Sequence, residues 1–308
     1  MIYVMHSNKL RVLQNTLNDF RPQRSKKYII VSTPTAFLDT ILDKSVLDTV
    51  YTSTLSNTAP RYESHIRLDV ICLPLHNFLS SPSSPVVHIF LQDKLLQFVS
   101  EDPTAIIKFF DHFIETDTSA SFGKILYLFF NSQLNDDLDE LEKIEDRLSI
   151  MEDEILSNEH LNVNYSQKAI AVSRIVRLTK QYYEQFSNII ESLSWNENNF
   201  FDDATLKYFK ILGSKLDRLL ENTARLLTFA SEVREMYQTE VDMRANKIMQ
   251  LFTVITVIFA PLTLLVGWYG MNLMMPEFHF RYAYPVIIAA SLIFSISIIW
   301  YFKKRKWF

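Results

Sequence analysis

The rhythm of apolar and polar positions changes three times along the chain. Up to about residue 100, β-branched and aromatic residues come in short runs: Ile2–Met5, Tyr28–Ser32, Thr49–Thr52, His65–Leu73 and Val86–Leu91. Such runs predict strands. The Ser- and Pro-rich stretch Ser80–Pro85 predicts a turn between two of them. Asp102-Pro103 predicts a helix start, because proline fits a first helical turn. The first 120 residues therefore read as an α+β domain.

From about Ser121 the period becomes helical. Leu134, Leu138, Leu141, Ile144, Leu148, Met151 and Ile155 recur every three or four residues, with ten carboxylates between Asp136 and Glu154. This predicts an amphipathic helix with a strongly acidic face. Such a face is either simply solvated or raises the local cation concentration. A second helix is expected over Ser166–Ser192, completing an acidic helical hairpin over 121–200. A third runs from Asp203 to Gly270, through a cytoplasmic stalk over 201–247. Its apolar positions, from Leu206, Phe209, Leu212, Leu216 and Leu219 to Val241 and Ile248, keep spacings of three and four. Continuous, it is on the order of 100 Å long at 1.5 Å per residue. A seam sustained over that length predicts self-association into a bundle.

The third change is the loss of charge. Ile248–Pro276 and Tyr282–Phe302 are uncharged runs of 29 and 21 residues. Each can cross a hydrocarbon core of about 30 Å, which takes about 20 helical residues. Two spans, about 251–270 and 283–302, are expected within a membrane domain over 248–308. The connection is too short for anything but antiparallel neighbours. Lys303-Lys304-Arg305-Lys306 follows the second span and Arg244 and Lys247 precede the first, whereas the connecting loop holds only Arg281. The positive-inside rule then puts both chain ends in the cytoplasm. Trp300, Tyr301 and Trp307 on one side, and Trp268, Tyr269, Tyr282 and Tyr284 on the other, suit interfacial belts.

Charge sharpens this division. Residues 1–247 carry a formal −8 and the remainder +4. An acidic body excludes nucleic acid as the expected partner and suits a cation. The single cysteine, Cys72, allows no internal disulfide and fits a reducing compartment. Met1–Leu10 shows neither a secretory nor an organellar signal pattern, so the expected location is the cell membrane. No Walker loop, His-Glu-x-x-His or Cys-x-x-Cys is present. No enzyme activity, catalytic residue or resident cofactor is expected.

The first span ends Gly267-Trp268-Tyr269-Gly270-Met271-Asn272. One reading is a Gly-Asn helix C-cap. The other is a ring of Asn272 carboxamides from several subunits facing the water shell of a cation. Mg²⁺ gives up its water reluctantly and prefers oxygen, and conduction needs binding weak enough to release. Gly270-Met271-Asn272 resembles the Gly-Met-Asn signature of the CorA magnesium transporter family. Asn246-Lys247-Ile248-Met249, Thr253, Ile258–Thr263 and Gly267 resemble that family's first span. Met275-Pro276-Glu277-Phe278 is similar to its outer loop, and Pro285 and the basic tail to its second span.

The resemblance implies a homopentameric funnel: the α+β domain, a long stalk helix and two transmembrane helices around a pore for divalent cations. It implies a filter of Gly270, Met271 and Asn272, with Asn272 meeting the metal and Glu277 in the outer loop. The pore would be lined by Asn246, Met249, Phe252, Thr256, Ala260 and Thr263, which share one helical face. Met249 and Phe252 would form an apolar gate. The expected cargo is Mg²⁺, with Co²⁺ or Ni²⁺ possible, moving down its electrochemical gradient. Zn²⁺ transport of the ZntB type and a non-conducting membrane-anchored scaffold are the alternatives. Ile211 stands where the family often has an Asp that helps bind a regulatory Mg²⁺, which leaves that site in doubt; Glu221, Glu232 and Glu235 are candidate substitutes.

Overall fold

The computed structural model describes residues 1–6, 9–14, 25–38, 54–56, 58–75, 85–116, 119–157, 164–271 and 282–305. Seven strands form one mixed sheet: β1 (Ile2–His6), β2 (Lys9–Gln14), β3 (Lys27–Ser32), β4 (Arg61–His65), β5 (Leu68–Pro74), β6 (Val86–Leu91) and β7 (Leu95–Ser100). Their order is β2-β1-β3-β7-β6-β5-β4. Only β3 and β7 pair in parallel; the other neighbours are antiparallel.

Both sheet faces are covered. One carries Phe37 from α1 (Pro34–Leu38) against Leu68, Val70, Phe90 and Val99. The other packs aromatic rings from α2 (Thr104–Glu115) and α3 (Phe122–Ser132). There the Phe98 ring lies 5.3 Å from Phe110 and 5.1 Å from Phe129. A sheet buried on both sides needs no polar alternation. β7, Leu-Leu-Gln-Phe-Val-Ser, has one β-branched residue and so escaped the reading of β-branched and aromatic runs. The short β2 and β4 escaped it as well, and the expected strand His65–Leu73 is divided by a turn. Arg67 takes a left-handed φ of 61° there, so β4 and β5 form a hairpin. The expected strand Thr49–Thr52 lies outside the described residues, as does the Ser80–Pro85 turn except for Pro85.

The helices follow the expected pattern more closely. At the start of α2, Asp102 Oδ1 accepts the Thr104 amide at 3.0 Å. Then come α4 (Asp137–Ser157), α5 (Asn164–Trp195), α6 (Asp203–Tyr269) and α7 (Ala283–Lys304). Two compact units result: Met1–Asp153 with Val163–Val233, and Glu154–Asn162 with Arg234–Phe308.

Within the first unit, the apolar seam of α6 is consumed by its own chain. Phe209, Leu212, Leu216, Leu219, Leu226, Ala230 and Val233 are buried, as is Thr223. The inference from this seam to a self-associating bundle is therefore corrected for Phe209–Val233: those side chains pack inside the protomer. At Gly123 of α3, an added Cβ would overlap the Thr205 side chain, so the helix contact there requires glycine. A polar junction ties the layer together. The Tyr183 hydroxyl donates to Asp137 Oδ2 at 2.8 Å, and Lys215 Nζ donates to Asn131 Oδ1 at 2.9 Å. Burial pushes the Lys215 pKa down, and the Asp137 charge opposes that shift. The α5–α6 turn is clasped to the sheet by Asn198, whose Nδ2 donates to Asp69 Oδ1 at 2.7 Å and to the His65 carbonyl at 2.9 Å.

In the second unit, α6 and α7 lie side by side. They share an apolar groove of about 610 Å³ lined by Leu262, Val266, Tyr269, Ala283, Ile287 and Ser291, among others. The Ser291 and Ser295 hydroxyls each donate at 2.9 Å to the carbonyl four residues earlier, so their protons need no partner across the groove.

Candidate ion pathway

The predicted pathway residues all lie on α6 or just beyond it. Spacings of three and four put Asn246, Met249, Phe252, Thr256, Ala260 and Thr263 on one face, and all six are exposed in the protomer. The facing side differs. Val254 is buried, and Gln250, Ile258, Leu262 and Tyr269 are half-buried. Leu262 and Tyr269 line the groove shared with α7. At about 100° per residue, the two faces are centred roughly 180° apart. The α7 helix thus covers one side of α6 and leaves the six residues on the other. Sequence alone does not mark Leu262 and Tyr269 as residues that receive α7, although Tyr269 suits an interfacial belt. Their signal is the four-residue spacing of Ala283, Ile287, Ser291 and Ser295 on α7.

The exposed face carries oxygen without charge. Thr256 Oγ1 donates to the Phe252 carbonyl and Thr263 Oγ1 to the Phe259 carbonyl, each at 2.8 Å. With their protons spent inside the helix, the hydroxyls present lone pairs outward. Pro261 lies within the helix. Lacking an N–H, it leaves the Val257 carbonyl without its i+4 donor. Met249 and Phe252 form an apolar stretch between Asn246 and Thr256.

At the end of α6, the Gly270 amide donates to the Val266 carbonyl at 2.9 Å. Gly270 does not take positive φ, so the left-handed cap reading fails at this residue. Glycine is nonetheless required, because a Cβ would stand 2.9 Å from the Val266 oxygen. Met271 is about half exposed. Asn272 and Glu277 lie outside the described residues. At the other end of the unit, Lys304 Nζ sits 5.2 Å from the Trp300 ring centroid and the Arg305 guanidinium 5.8 Å from that of Tyr301. The basic end of α7 thus folds onto its aromatic belt.

Ile211 is 57% exposed on α6. Glu221, Glu232 and Glu235 are also exposed. Among the described residues, no three His, Cys, Asp or Glu side chains of one protomer converge as a metal site. Glu142 and Glu145 of the acidic helix line a groove of about 310 Å³ with Asn222 and Arg225, where the guanidinium opposes a bound cation. Cys72 is buried, and burial raises its thiol pKa to about 11.

Two helices long and apolar enough to cross a bilayer, one of them continuous with a soluble α/β unit, define a membrane protein of the two-span, long-helix class. The family described as CorA-like Mg²⁺ transporter protein matches residues 26–304, and the chain belongs to it. The cobalt/magnesium transport protein CorA of Thermotoga maritima is 28% identical over 185 residues, 59% of this chain and 52% of that protein. The magnesium transport protein CorA of Wolinella succinogenes is 34% identical over 102 residues, 33% of this chain and 32% of that protein. The matched part of this chain thus spans between a third and about half of these curated relatives. The fold extends further. The complete CorA magnesium transporter of Methanocaldococcus jannaschii superposes with a TM-score of 0.80 at 18% identity, covering 100% of this chain and 98% of that one. The full-length CmaX protein gives 0.77 at 16% identity, covering 99% and 97%.

Proposed function

We propose that the protein conducts divalent cations, Mg²⁺ foremost, across the cell membrane down their electrochemical gradient. It does so as a homo-oligomer, a pentamer, with both chain ends in the cytoplasm. The observation that carries this reading is the uncovered α6 face of Asn246, Met249, Phe252, Thr256, Ala260 and Thr263, turned away from α7 in a chain of the CorA-like family. Copies arranged around an axis would place that face on a central path. Asn272 carboxamides at its outer end meet a hydrated ion with neutral oxygen, which recognises the water shell without trapping the charge. Thr263 and Thr256 offer further lone pairs along the way. Met249 and Phe252 form an apolar constriction that closes by excluding water. With Ile211 at the level where relatives often hold a carboxylate, closure by cytosolic Mg²⁺ is expected to be weak.

The test is flux in proteoliposomes, with Mg²⁺ and Zn²⁺ compared directly for the wild type and for Asn272→Ala. Mg²⁺ flux exceeding Zn²⁺ flux, and lost in the variant while the oligomer persists, supports the reading. Flux of Zn²⁺ alone favours the ZntB-type alternative, and no flux of either ion favours a scaffold.

A further inference from the structure

The two arms of the α4–α5 hairpin are oppositely charged, and both show apolar side chains to water. On α4, Asp139, Glu142, Asp146 and Asp153 are exposed and fall within an arc of about 60° at 100° per residue. Beside them stands Ile150, 57% exposed. On α5, Asn164–Tyr183 contains Lys168, Arg174, Arg177 and Lys180 and no carboxylate. Its outer face groups Arg174 and Arg177 with Ile170 and Leu178, which are 51% and 43% exposed.

The neighbouring charges are partly spent within their own helices. Lys143 pairs with Glu140 at 2.7 Å and Lys180 with Glu184 at 3.6 Å. By contrast, Arg174, Arg177, Glu142 and Asp146 make no ion pair among the described residues. Each face is therefore apolar with unspent charge of one sign, and the other face supplies its complement.

We propose that the α5 face of one protomer, Ile170, Arg174, Arg177 and Leu178, docks on the α4 face of a second copy, Asp139, Glu142, Asp146 and Ile150. The two patches differ, so the contact is heterologous, and repetition of a heterologous contact closes a ring when the rotation permits. Charge complementarity fixes the register and disfavours docking of like faces. The contact also gives the acidic helix a role beyond solvation: part of its charge is neutralised by the next subunit. The proposal rests on the homo-oligomer reading and adds to it which surfaces meet.

The full chain is tested in nanodiscs and in detergent over a dilution series, with the oligomer read by native mass spectrometry. Arg174→Glu with Arg177→Glu should lower oligomer stability by about tenfold or more in concentration, since like charges then face each other. Glu142→Lys with Asp146→Lys should do the same. The four substitutions together should restore it, a rescue that general misfolding would not give. In a Cys72→Ser background, Ile150→Cys with Leu178→Cys should cross-link protomers into a ladder. A wild type that is oligomeric but indifferent to either charge reversal, without the ladder, overturns the docking surface alone. Loss of binding to anionic vesicles without any change in oligomer would assign the α5 face to the membrane and likewise overturn it. A monomeric wild type overturns the homo-oligomer reading itself.

Discussion

The helix α6 repeats one apolar spacing along its length, yet its two ends meet different fates. Over Phe209–Val233 the repeating side chains are buried within the same protomer. Over Met249–Thr263 the repeating face is bare, and Met249 and Phe252 are 62% and 61% exposed. The difference lies in what accompanies each stretch. The first has an amphipathic hairpin alongside that must bury its own apolar faces. The second has one neighbour, α7, which can cover only one side of a helix. Periodicity shows that a face has a task, and the supply of covering elements decides whether that task is packing or assembly.

The comparison is broken most severely by Leu216→Ala. Leu216 is fully buried, and truncating such a leucine costs about 2–5 kcal/mol, measured by denaturant unfolding in detergent. The matching change on the bare face, Phe252→Ser, should cost less than about 1 kcal/mol and instead raise basal Mg²⁺ flux by wetting the constriction.

Acid should separate the two units next. His88 is 5% exposed in the sheet, and burial with the nearby Arg61 charge lowers its pKa to about 4 from the ordinary 6.5. A depressed histidine stays neutral when folded but takes a proton when unfolded, so its contribution is complete above pH 6.5. It is lost as pH falls towards 4, by up to about 3 kcal/mol. His88→Leu should flatten that part of the stability–pH curve of the soluble unit and leave the apolar unit unaffected.

A smaller effect sharpens the comparison at the polar junction. Lys215→Met removes the donor to Asn131 and the charge facing Asp137, at a cost of about 1–3 kcal/mol. Mg²⁺ flux through assembled protein should be unchanged.

Much of this architecture was legible in the chain. The uncharged runs gave both candidate spans, and the unbroken period from Asp203 gave the 67-residue helix. The face of Asn246–Thr263 follows from helical geometry alone. What was not legible has physical causes. In β7 a single β-branched residue leaves no strand-like run, and the turn at Ile66-Arg67 lacks the glycine or asparagine that marks a hairpin. The seam from Phe209 to Val233 looked like an assembly surface because spacing alone does not say whose side chains will cover it. At the filter, Gly270 is required by its close approach to Val266, whereas Asn272 rests on the resemblance.

The central claim is that the bare face of α6 lines the ion path, and thiol accessibility tests it most directly. Cys72→Ser removes the one native thiol, which is buried. In that background Ala260→Cys, on the bare face, is compared with Ile258→Cys, on the side towards α7. A charged, membrane-impermeant thiol reagent should abolish Mg²⁺ flux through the Ala260→Cys protein and leave the Ile258→Cys protein conducting. Equal protection of both, or block at Ile258→Cys alone, would contradict the account.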